Sequence, residues 1–199
     1  MWLAVFFGAS VLVALTPGAN NLLGMHHGVH HGPLRAATAL LGRLAAFSLM
    51  VGAVVAGLGP VLAASHTALT VIKWAGVAYL VYLAVRILVT ETGAAAAPVG
   101  KGTPLRKEFL VAITNPKALL IFTAFVPQFV DPARGPIPLQ LATLGAVYLA
   151  AEALAGTAYV ALGAGIRRAG LTRRARARLD KGTAAVLLGM AGLLATGRT

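Results

Sequence analysis

Cysteine is absent from the 199 residues, which excludes disulfides, thiolate metal sites and cysteine nucleophiles. Charge is scarce as well: 11% of residues are Asp, Glu, Lys or Arg, and five are acidic. A soluble domain carries roughly 25% charged residues, so this chain cannot cover a water-facing surface in the usual way. No HExxH motif and no Ser/His/Asp set offers a hydrolytic centre, and the chain reads as a non-enzyme that needs no cofactor. The formal charge of +12 does not point to nucleic acid, because no aromatic residue lies among the clustered basic residues to stack a base.

What is present is apolar: 58% of the chain is hydrophobic. Six runs, about 2–23, 39–64, 69–89, 109–130, 139–163 and 179–196, approach the ~20 apolar residues that cross a bilayer. The expected fold is an all-α integral membrane protein with six transmembrane helices. The N-terminus lacks the basic stretch of a signal peptide, so the first run reads as a retained span. A glycine- and proline-bearing linker near 91–108 divides a single transporter domain, 1–199, into three-span repeats at about 1–90 and 109–199. Basic residues gather after the odd-numbered spans: Arg35, then Lys101, Arg106 and Lys107, then the cluster from Arg167 to Lys181. The opposite side holds Arg134 and Arg198. This bias puts both termini outside and the cluster in a cytoplasmic loop against anionic lipid headgroups. Three spans per half make the repeats inverted, a common transporter plan.

The two halves share one interruption. Thr16-Pro17-Gly18-Ala19-Asn20-Asn21 breaks the first span, and Asn115-Pro116-Lys117 breaks the fourth. Proline cannot continue a helix but suits its first turn, and Thr16 and Asn115 are candidate N-caps. Each break therefore starts a half-helix whose free amides and dipole suit a carboxylate. Lys117 is misplaced at such a positive helix end, and an anion between the two starts would relieve it. Asn20 and Asn21 add amides one turn on. Glu152, within the fifth span, reads as the one carboxylate deep in the membrane, suited to carry a proton or meet an ammonium. Its structural alternative is an ion pair with Arg43 or Lys117.

The run His26-His27-Gly28-Val29-His30-His31 resembles a metal site, but Gly28, Gly32 and Pro33 mark it as a turn and no carboxylate accompanies it. It reads as polar surface, and no metal is expected. Gly52, Gly57, Gly156, Gly163, Gly189 and Gly192 read as helix-packing positions, which also permit a homodimer.

Thr16-Pro17-Gly18-Ala19-Asn20-Asn21-Leu22-Leu23 resembles the TPGPNN-type motif of the LysE/RhtB family of bacterial amino-acid exporters. Lys73-Trp74-Ala75-Gly76-Val77-Ala78-Tyr79-Leu80 is similar to that family's third span. Asn115-Pro116-Lys117-Ala118 and Phe125-Val126-Pro127-Gln128-Phe129-Val130 are similar to its fourth. Ala19 departs from the pattern, which has proline there, and Glu152 stands where relatives carry aspartate. The resemblance implies a carrier in the bacterial inner membrane that expels amino acids or close derivatives, driven by the proton gradient. It carries Thr16–Asn21 and Asn115–Lys117 over as substrate-site elements. The rival expectation is an exporter of a transition-metal or other inorganic cation.

Overall fold

Proline and glycine set the helix boundaries of the computed structural model, which describes residues 2–57, 66–90, 103–170 and 172–196. Helix α1 (Trp2–Leu15) stops short of Pro17, and α2 (Ala19–His31) resumes after Gly18 with its axis turned by 65°. Then come α3 (Pro33–Val55), α4 (His66–Thr90) and α5 (Pro104–Ile113). The short α6 (Pro116–Leu120) runs into a π turn at Ile121–Phe125 and a 3-10 turn at Val126–Phe129. Together these are bent by 55° from α5. A further 3-10 turn, Pro132–Arg134, leads into α7 (Ile137–Arg168) and α8 (Arg173–Thr196). Among the described residues there is no strand. Proline opens α3, α5 and α6, where its missing N–H costs nothing.

Three local expectations need correction. Gly18, not Thr16, caps α2, and the Thr16 hydroxyl donates back to the Leu12 carbonyl at 3.1 Å. The histidine run is helical to His31, the chain turning only at Gly32, whose φ of +81° favours glycine. Most of the Arg167–Lys181 cluster is helix rather than loop, since α7 ends at Arg168 and α8 opens at Arg173. The expected linker and the end of the second span fall largely outside the described residues.

Polarity is inverted relative to a water-soluble protein. Leu12 is 72% exposed and Leu49 60%, while Arg43, Glu108, Glu152, Asn20 and Asn21 are buried. Apolar outside and polar inside is the distribution for a lipid surround. Among the described residues Pro33–Val55 and Ile137–Arg168 are each long and apolar enough to cross a membrane, and counting each bent pair as one span makes four. The chain is an all-α integral membrane protein.

Packing centres on two clusters. Phe6, Phe47, Phe122 and Tyr148 form an aromatic core in which Phe122 and Tyr148 meet edge to face at 5.3 Å. Leu23, Leu80, Ala84 and Leu187 join α2 and α4 to α8. Helices α2 and α7 approach closely, where a Cβ at Gly163 would strike the Met25 carbonyl. Small residues there let the backbones touch.

Candidate functional site

Arg43 is wholly buried in α3. An arginine carries five N–H donors and no acceptor, and here all five are used. Nε donates to Glu108 Oε2 at 3.0 Å, and Nη2 to Glu108 Oε1 at 3.2 Å and to the Asn20 carbonyl. Nη1 donates to Asn21 Oδ1 at 3.0 Å and to Glu152 Oε1 at 3.1 Å. One guanidinium thus ties α2, α3, α5 and α7 together. A buried charge without partners costs several kcal/mol, so this saturation is what makes the placement tolerable. Room for the guanidinium comes from two glycines. A Cβ would lie 3.1 Å from Nη2 at Gly24 and 3.2 Å from Nη1 at Gly156.

With both carboxylates ionised, the trio of Arg43, Glu108 and Glu152 carries one negative charge in excess. Tyr148 donates its hydroxyl to Glu152 Oε2 at 3.2 Å. The remaining negative charge can be balanced by a proton or by a cation arriving from the cavity that Glu152 lines.

The two breaks meet. Asn115 Nδ2 donates to Asn20 Oδ1 at 2.7 Å, and Asn20 Nδ2 lies 3.4 Å from Glu108 Oε2. Asn115 caps α6 as expected, its Oδ1 accepting the Lys117 amide at 3.0 Å. Asn21 Nδ2 donates to the Ala14 carbonyl at 2.7 Å, satisfying one of the groups freed where α1 stops. Lys117 Nζ donates to the carbonyls of Val13 and Thr16 at 2.8 and 3.0 Å. Its charge therefore sits at the negative end of α1, which offsets its unfavourable position at the start of α6. The same ammonium lies 3.9 Å from the position a Cβ would take on Gly18. It is thus next to the start of α2, whose first turn has no side-chain cap.

Gly18, Asn20, Lys117, Tyr148 and Glu152 line a cavity of about 10 Å³, with Phe47 and Ile121 as apolar walls. That volume suits about one water. An amino acid enters only if the surrounding helices separate. The structure therefore brings together Gly18, Asn20, Asn21, Asn115, Lys117 and Glu152, whereas Thr16 and Pro17 serve the break itself.

Glu152 is not the one deep carboxylate: Glu108 is 1% exposed and more fully enclosed. It follows the polar run Pro104-Leu105-Arg106-Lys107, which hides it from a hydropathy reading. The available signal is periodicity. Glu108, Val111, Ala112 and Asn115 recur at helical spacing, and all four are buried. The histidines are likewise accompanied by a carboxylate, Asp180, and His26 and His27 are buried rather than surface groups.

Residues 11–198 match the profile of the family described as LysE type translocator. A protein of Vibrio cholerae described as an uncharacterized membrane protein is 31% identical, over 100% of this chain and 98% of its own. A homoserine/homoserine lactone efflux protein of Salmonella typhi is 27% identical over 81% of this chain and 80% of its own. A leucine efflux protein of Salmonella choleraesuis is 27% identical over 61% and 60%. No solved structure matches the chain.

Proposed function

The chain belongs to the LysE type translocator family, and from that premise we propose that it exports small zwitterionic amino acids or their close derivatives, of the homoserine or leucine kind, across the bacterial inner membrane. The observation that carries the reading is the pairing of opposite charges across one cavity. Lys117 lies beside the uncapped start of α2, and Glu152 lines the same space. A substrate carboxylate would meet Lys117 and the first amides of α2. Its ammonium, or a coupling proton, would take the excess negative charge at Glu152. Competition of proton and substrate for one carboxylate is a sufficient basis for proton-coupled exchange.

The architecture proposed for this cycle has six spans in two inverted repeats, about 1–90 and 109–199 around the 91–108 linker, with both termini outside. The matching bends at 65° and 55° support it. The exposed Arg174, Arg178 and Lys181 would face anionic headgroups on the cytoplasmic side. Gly189 and Gly192, with nothing within 4 Å of an added Cβ, leave a face on which a second copy could pack.

Purified protein in liposomes, tested for counterflow of labelled homoserine and leucine, checks the reading. Wild type should exchange at least one of them, Lys117→Ala should lose exchange, and Glu152→Gln should weaken exchange and abolish its response to a pH gradient. Normal exchange and coupling in both variants, correctly inserted, would place the site elsewhere.

A further inference from the structure

On α2, His26 and His30 are one helical turn apart and share a face, their rings 4.3 Å apart between centroids. Both are aimed at one oxygen. His26 Nδ1 lies 3.2 Å and His30 Nε2 2.6 Å from Oδ1 of Asp180 on α8. His26 and Asp180 are buried, and the His30 side chain is 28% exposed. The donor atoms all fall within 4.8 Å of one another.

We propose that His26, His30 and Asp180 form a binding site for a first-row divalent metal of the Zn²⁺ type, which fastens α2 to α8. Two imidazoles and one carboxylate are a borderline donor set that suits Zn²⁺, Co²⁺ or Ni²⁺ and not the hard cations Mg²⁺ or Ca²⁺. Tetrahedral ligation at ~2.0–2.1 Å holds donor atoms about 3.3 Å apart. The His26–Asp180 separation already has that value, and the His30–Asp180 pair needs to open by ~0.7 Å, well within rotamer freedom. Because His30 is partly exposed, a fourth position on its side is open to water. None of the three residues lines the cavity beside Glu152, so the metal is a fixture of the helix pair and not cargo. Its binding is read without transport, and the proposal stands or falls independently of the exported substrate.

The test uses full-length protein in detergent, stripped with chelator and titrated with Zn²⁺ or Co²⁺ alone. Wild type should bind one equivalent of Zn²⁺, gain thermal stability, and give the visible bands of tetrahedral Co²⁺. His30→Gln retains an amide donor for Asp180 but not the imidazole. It and Asp180→Asn should each weaken Zn²⁺ binding by at least about tenfold and abolish the Co²⁺ bands. His31→Gln, outside the set, should change neither. A wild type that binds no Zn²⁺, or binding undiminished in both variants, would overturn the site and leave a histidine–aspartate ion pair. Should a variant fail to fold, the wild-type Co²⁺ spectrum decides. Tetrahedral bands displaced by one equivalent of Zn²⁺ support the site, and an octahedral or absent spectrum rejects it.

Discussion

Arg43 and Glu108 stand 65 positions apart in the chain and join in a two-bond fork, at 3.0 and 3.2 Å, between α3 and α5. Gly42 makes the approach close enough, since a Cβ there would strike the Leu105 carbonyl. Fork geometry of this kind is specific to arginine, because lysine donates from a single nitrogen and cannot set two parallel bonds on the two oxygens of one carboxylate.

Removing one partner of this pair leaves uncompensated charge in the interior. Arg43→Leu should cost about 3–5 kcal/mol, seen as a large fall in Tm for protein in detergent, with export lost. Glu108→Gln keeps an acceptor for the guanidinium and should cost less. An unchanged Tm for Arg43→Leu would show that the fork contributes nothing to stability.

Lys117 tests whether geometry or charge alone matters at the first break. Lys117→Met strips the Val13 and Thr16 carbonyls of their donor and should abolish counterflow, while lowering stability by about 1.5–3 kcal/mol, the worth of one charge-assisted bond, since the Thr16 contact is exposed to solvent. Lys117→Arg keeps the charge and should recover part of both. Full activity in the methionine variant would remove Lys117 from the substrate site.

Glycine substitutions separate packing from propensity. Gly24→Ala pushes a methyl against the Arg43 guanidinium, Gly156→Ala strikes Leu40 first and then the guanidinium, and each should cost about 1–3 kcal/mol. Gly8→Ala and Gly52→Ala meet open space and should be neutral, or stabilising by roughly 0.5–1 kcal/mol through helix propensity. Equal effects at all four positions, read by thermal unfolding, would contradict the assigned role of Gly24 and Gly156.

The Asn20–Asn115 bond at 2.7 Å links the two breaks. A double-mutant cycle with Asn20→Ala and Asn115→Ala, scored on Tm and on counterflow, should give a coupling of about 0.5–3 kcal/mol. Strict additivity would mean that the breaks act separately.

The sequence made the breaks, Asn115 as a cap, Lys117 and Glu152 legible, because proline and intramembrane charge are rare and each has a mechanical meaning. Arg43 was legible as a partner for Glu152 but not as the centre of the network, since hydropathy says nothing about which helices converge. Glu108 was obscured by the basic residues before it. Gly28 reads as a turn in the sequence because glycine interrupts helices in water, whereas in the fold its missing side chain admits the Val160 carbonyl of α7. Asp180 was hidden among arginines, and only the packing of α8 on α2 reveals its histidines.

The saturation of Arg43 restricts how this molecule can move. No donor of the guanidinium is spare, so α2, α3, α5 and α7 cannot slide past one another there without leaving a buried N–H unpaired. Helices α4 and α8 pack on each other through Ala84 and Leu187 and supply no partner to that charge. Opening the cavity beside Glu152, whose walls come from α2, α3, α6 and α7, therefore has to exchange some of these five bonds for new partners.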